Sequence, residues 1–103
     1  MINMVYEVLL IPEAEQDIDE AILWYEKKKI NLGIRFYFEA LENLEKLKLH
    51  PQHYSFLQDD YRQVVLKNFP YKIVFKISSE SVIVFAVFHT GRSDDELFER
   101  SNQ

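Results

Sequence analysis

Residues 82–88, VIVFAVF, are apolar at every position. A strand with one wet face alternates apolar and polar side chains; an unbroken run has no polar face to offer, so it belongs inside a sheet, buried on both sides. The rest of the chain must therefore supply neighbouring strands and cover. Residues 61–67 and 71–77 alternate as strands, Asn68-Phe69-Pro70 makes a turn in which the proline holds Phe69 extended, and residues 78–81 are a polar hairpin turn.

Residues 4–11 form a further short apolar run that stops at Pro12, which reads as a first strand. Pro12 suits a helix's first turn, and Glu13, Glu15 and Asp17 favour the positive end of its dipole. Ile18, Ala21, Ile22 and Tyr25 then recur at i, i+3, i+4 and i+7, an apolar stripe ending in the lysines 27–29. After a break at 30–33, Ile34, Tyr37, Phe38, Leu41, Leu44 and Lys48 mark one face of a second helix, widened by Phe36, Ala40 and Leu47 and stopped by Pro51. So short a join predicts an antiparallel helical hairpin lying on the sheet. The Phe38 and Leu41 face is expected to be its buried side, so that aspartate at either position would destroy folding. Ser93-Asp94-Asp95-Glu96 reads as a capping box for a short last helix carrying Leu97 and Phe98. The expected fold is α+β: an N-terminal strand, a helical hairpin, a three-stranded antiparallel meander completing one four-stranded sheet, and a short C-terminal helix. The chain is expected to be a single domain over residues 1–103.

Charge is segregated. The chain carries a formal −5, yet residues 61–92 hold Arg62, Lys67, Lys72, Lys76 and Arg92 against the one acid Glu80. Local fields follow where charges sit, so a small polyanion site on the later strands is permitted despite the acidic total. The absence of cysteine excludes thiol catalysis, thiolate metal sites and disulfides, and fits a reducing, cytoplasmic setting. No targeting segment, membrane-spanning run, repeat or linker is legible. No pair of histidines has a carboxylate at metal-ligand spacing, so neither metal nor cofactor is expected.

Several features in order resemble one family. They are the Trp24-Tyr25 pair late in the first helix, Leu-x-x-x-Pro from residue 47 to Pro51, Arg62 opening the second strand, Phe69-Pro70-Tyr71 before the third, and Phe88-His89-x-x-Arg92 ending the fourth. Together they resemble the RelE/ParE superfamily of bacterial toxins, in particular its plasmid-stabilisation branch. The resemblance implies the toxin of a type II toxin-antitoxin system, held inactive by a cognate antitoxin that wraps it with helical and extended segments. Members of RelE type cut messenger RNA on the ribosome; members of ParE type poison DNA gyrase without comparable nuclease chemistry. A toxin-like module that has lost toxicity is the third reading.

Cleavage at a ribose 2′-hydroxyl needs a base, an acid and a cation for the developing charge. Arg62, His89 and Arg92 are the catalytic candidates, with Tyr71 beside them. Arg62, Lys67, Lys72 and Arg92 are the candidates for binding a phosphate or a target, since guanidinium forks match phosphate oxygens. Each has an ordinary alternative: Arg62 pairing with the acidic helices, Arg92 bracing the tail helix, His89 as a packed histidine sharing strand parity with Ile83, Phe85 and Val87. Tyr71 shares parity with Ile73, Phe75 and Ile77, as a core aromatic would. Trp24, at the margin of its helix stripe, is the candidate for partner contact, and the acids Glu13, Glu15, Asp17, Asp19 and Glu20 read as a solvated helix face. Thr90 follows His89, no tyrosine occurs after Tyr71, and the chain is acidic. All three depart from the nuclease pattern and favour a toxin that acts by binding.

Overall fold

The computed structural model describes residues 4–100; the ends of the expected 1–103 span, residues 1–3 and 101–103, lie outside the described residues. Strand β1 (Glu7–Leu10) leads into helices α1 (Pro12–Lys28) and α2 (Leu32–Lys46). A 3₁₀ turn at Pro51–His53 is followed by β2 (Phe56–Gln58), β3 (Tyr61–Val65), β4 (Tyr71–Ser78), β5 (Ser81–His89) and the short helix α3 (Asp94–Glu99). The strands form one sheet in the order β1-β5-β4-β3-β2, with β1 parallel to β5 and the remaining neighbours antiparallel. The apolar run is therefore interior, between β1 and β4.

The sheet has five strands where the sequence predicts four. The additional one, β2, is only three residues long, too short for any alternation to show. It exists because β3 offers an edge to pair with, through Phe56 to Arg62 and Gln58 to Tyr61, with an irregular register between. A two-residue turn with Asp59 at φ 51° closes the hairpin.

Between β4 and β5 the register slips: Val74 lies opposite Ala86, and Phe75 opposite Val84, leaving Phe85 as an extra residue. This β-bulge re-aims everything after it. Val82, Val84 and Val87 pack in the core under the helices, whereas Phe85, Ala86 and Phe88 join Val74 and Leu97 in a second core on the far face. His89 thus shares its face with Val87, Val84 and Val82, not with Ile83 and Phe85 as strict alternation predicts.

Helices α1 and α2 cover one face. Tyr25, Phe36, Phe69 and Tyr71 form a ring cluster with centroids 4.9 to 6.0 Å apart, tying both helices to the β3–β4 turn and to β4. Glu39 fixes that turn from α2 by accepting from the backbone and side-chain amides of Asn68 at 3.0 and 2.7 Å. At the α1–α2 junction Asn31 takes a left-handed conformation (φ 71°). Glu26 caps the new helix there, accepting from the Asn31 and Gly33 amides at 2.9 and 3.0 Å. A Cβ on Gly33 would lie 2.5 Å from the carbonyl oxygen of Ile22, so only glycine lets the helices meet this closely.

That close approach sets the rotation of α2, and it differs from the expectation. Gly33, Phe36 and Ala40 are the buried residues of the helix, and Leu47 just beyond it is fully buried. Ile34, Tyr37, Phe38 and Leu41 face outward, Phe38 with 57% of its surface accessible. The two faces are offset by one residue, about 100° around the helix, and α2 is apolar across both. Periodicity therefore defines the width of the stripe but not which part faces the sheet.

The far face is covered by α3, anchored by the fully buried Leu97. The expected capping box is half formed. Ser93 Oγ accepts from the Asp95 amide at 3.1 Å, but the Glu96 carboxylate turns back to Arg92 instead. No helix among the described residues is long and apolar enough to cross a membrane.

Candidate functional site

Where β4 begins and β5 ends, α1 passes over them and leaves a cleft of about 370 Å³ between α1 and the sheet. Asp17, Glu20, Trp24 and Tyr25 line it from α1, Tyr71 and His89 from facing positions on β4 and β5, and Arg92 from the turn that follows. Trp24 and Tyr25 meet edge to face at 5.0 Å, as do Tyr71 and His89 at 5.3 Å, so three walls are aromatic. Helical spacing explains the α1 side: Asp17, Glu20, Ala21, Trp24 follow at i, i+3, i+4 and i+7 on one face. The bulge explains the other, since it is what turns His89 toward the helices.

Several cleft side chains have defined partners. His89 Nδ1 accepts a hydrogen bond from the Gly91 amide at 2.9 Å, which leaves the proton of the neutral ring on Nε2. A Cβ on Gly91 would sit 3.0 Å from two atoms of that ring, so the turn is shaped around the imidazole. Burial pushes the Tyr71 phenol above its ordinary value; Asp17 and Glu20 push the same way and Arg92 opposes them. Tyr25 is raised as well, by burial and then by Tyr71. Arg92 lays its guanidinium 4.3 Å from the centre of the Phe88 ring and donates to the Glu96 carboxylate at 3.1 and 2.8 Å.

Asp17 departs from the expectation of a solvated acidic face. Strand β1 pairs with β5 only as far as Val84, beyond which the chain turns into α1 and the outer edge of β5 loses its partner. Asp17 fills the gap: its Oδ2 accepts from the Val87 amide at 3.0 Å. Arg100 completes the patch, donating to both Asp17 oxygens at 2.8 and 3.1 Å and to the Phe85 carbonyl at 3.2 Å. The hydrogen bond to Asp17 raises the Arg100 pKa above its ordinary value, against the pull of burial. Sequence reasoning missed both residues. An aspartate amid exposed acids and an arginine in an acidic tail carry no pattern that links them across the fold.

The basic residues of 61–92 do not gather into one surface. Arg62 donates to the carbonyls of Gln52 and Tyr54 at 3.0 and 2.8 Å and stacks 3.9 Å from the Phe56 ring centre. Lys72 is buried on the far face, ion-paired to Asp94 at 2.5 Å. Lys76 lies 5.6 Å over the Tyr61 ring and Lys67 is exposed at the β3–β4 turn. Arg62 stands opposite Phe75 and His89 opposite Tyr71, four positions apart on β4 or about 13 Å along the strand. Of the sequence-derived candidates the cleft thus brings together Trp24, Tyr71, His89 and Arg92, and leaves Arg62, Lys67 and Lys72 elsewhere.

A second surface lies on α2. Phe38, Leu41 and Leu49 line a shallow groove of about 570 Å³, flanked by Glu42, Glu45 and Lys46. Ile34 and Tyr37 continue the exposed apolar row toward the hairpin. Charges on the rim are compensated within the chain, Lys46 with Glu42 at 3.2 Å and Lys48 with Glu45 at 2.9 Å. No element among the described residues covers this apolar row.

Residues 8–94 match the family model described as the ParE toxin of the type II toxin-antitoxin system parDE. The chain belongs to the ParE toxin family. As a ParE toxin it is the toxin component of a type II toxin-antitoxin system, and the matched span runs from β1 through the cleft to the first residue of α3. A solved structure, the chromosomal ParDE toxin-antitoxin system from P. aeruginosa, is similar with a TM-score of 0.72 and 12% identity, covering 82% of this chain and 96% of that one. At that identity the likeness is one of fold. No curated protein matches the sequence.

Proposed function

We propose that this ParE toxin acts by binding its cellular target rather than by cutting RNA, that the target is DNA gyrase, and that a cognate antitoxin neutralises it by covering the exposed apolar row on α2. The observation that carries the reading against nuclease chemistry is the position of Arg62. Its guanidinium is engaged with two backbone carbonyls and a phenylalanine ring, away from His89 and Arg92. Phosphoryl transfer needs its base, acid and cation around one scissile bond; Arg62 is about 13 Å off along the sheet, and Arg92, the cation that does line the cleft, is held by the Glu96 carboxylate. For the antitoxin, the support is the row of Ile34, Tyr37, Phe38 and Leu41, which has no covering element among the described residues. Burial of such side chains against a partner contributes about 1.5 kcal/mol or more each.

The test is induction without antitoxin, followed by two assays on purified components. Growth arrest with inhibited supercoiling and intact messenger RNA is the expected result. Ribosome-dependent cleavage lost in Arg62→Ala and Arg92→Ala would establish the endoribonuclease instead, and no growth effect would leave an inert module.

A further inference from the structure

The cleft under α1 is built for a cation. Three aromatic side chains, Trp24, Tyr25 and Tyr71, wall it, and aromatic faces attract ammonium and guanidinium groups through their quadrupoles. The indole of Trp24 already does so within the chain, with the Lys28 ammonium 4.6 Å from its centroid. Lys28 is exposed, and its ammonium can swing into water when another cation arrives.

Charge bookkeeping points the same way. Asp17 is neutralised by Arg100 and Arg92 by Glu96, each through two contacts. Among the described residues, Glu20 receives only the neutral amide of Gln16, at 2.9 Å. The cleft therefore keeps one carboxylate with no ion-pair contact among the described residues, felt by Arg100 only at longer range, in a chain whose total is −5. A phosphate would meet Glu20 with like charge and would have to strip Arg92 from Glu96. A guanidinium meets an open carboxylate and flat aromatic walls, the two surfaces its planar fork suits best.

We propose that this cleft is the socket for an arginine side chain of the antitoxin, stacked on Trp24 and paired with Glu20. The inference rests on the toxin reading above and adds the chemistry of the segment that fills the cleft: a stretch of antitoxin presenting arginine in preference to lysine, and not an acidic or phosphorylated one.

Trp24 is the only tryptophan, so its emission reports the cleft directly. Full-length toxin would be titrated with N-acetyl-arginine methylamide, the lysine and glutamate analogues, and inorganic phosphate. Expected is a saturable change with the arginine compound, weaker with lysine, none with glutamate or phosphate, and loss of affinity at high salt. Glu20→Gln should raise the half-saturation concentration about threefold, the scale of an exposed ion pair, with an unchanged melting temperature because Glu20 is exposed. Leu23→Ala, outside the cleft, should leave the titration unaltered. A response to phosphate in place of arginine, no saturable response at all, or equal binding by Glu20→Gln would each overturn the proposal. Growth arrest by the wild-type chain keeps the two readings apart: arrest without arginine binding sinks the socket alone, and absence of arrest sinks the toxin reading.

Discussion

Arg100 closes on Asp17 with two parallel hydrogen bonds across 83 residues of sequence, and the pair stands in for a missing stretch of strand. Asp17 takes the Val87 amide and Arg100 the Phe85 carbonyl, both on the edge of β5 where β1 has already turned away. The relationship joins α1, the bulge in β5 and the C-terminal segment in one network.

Asp17→Ala should destabilise the fold by about 3 kcal/mol, because it strands a largely buried guanidinium and leaves the Val87 amide unpaired. Arg100→Ala should have a similar effect, and the double variant less than the sum, since both remove one interaction. Urea unfolding of the four proteins measures it.

Phe38→Asp and Leu41→Asp, singly or together, should fold and melt cooperatively, since both side chains face outward. Phe36→Asp should not fold, because Phe36 is fully buried and an unpaired carboxylate there costs several kcal/mol. Circular dichroism melts distinguish the two faces of α2. Co-purification with the antitoxin should be lost in the folded double variant.

Gly33→Ala should cost about 1 to 3 kcal/mol despite the better helix propensity of alanine, because the added methyl meets the Ile22 carbonyl oxygen, which is backbone and cannot swing aside. A melting temperature at or above that of the parent would show that the hairpin can open without loss.

Arg62→Ala should lower stability by about 2 kcal/mol through the two carbonyls it abandons. Lysine should recover only part, having no fork to reach both oxygens while lying on Phe56. Any change in toxicity of these variants should follow the fraction folded, measured on the same preparations.

Stability should fall at alkaline pH through Tyr25 and Tyr71. Both phenols have folded-state values above the ordinary 10.0, so the folded protein holds these protons more tightly than the unfolded chain. Their contribution is complete below pH 10 and is lost as pH rises through the folded-state values. Urea midpoints between pH 8 and 11 should decline at the top of that range, and Tyr71→Phe should make the decline shallower.

Much of the fold was legible because local pattern carried it. The unbroken run at 82–88 announced an interior strand, Pro12 and Pro51 bounded the helices, and Phe69-Pro70 marked the turn. Strand β2 was not, because three residues hold no period and pair only where a neighbour already stands. Half of the cleft was legible too, as Trp24, Tyr71, His89 and Arg92 were each singled out. Their common location depended on the bulge at Phe85, which no alternation rule reveals.

The sequence by itself determined which segments are helix and strand, that one sheet must be buried on both faces, and which side chains could do chemistry. Only the tertiary structure decided which apolar side of α2 meets the sheet, and it decided so through the absent side chain of Gly33. It alone also disposed of the positive charge. Buried Lys72 found its carboxylate on Asp94, 22 residues on, since a buried cation is stable only where the fold brings an acceptor to it, while Arg62 and Arg92 were taken up by nearer groups, the carbonyls of Gln52 and Tyr54 and the Glu96 carboxylate.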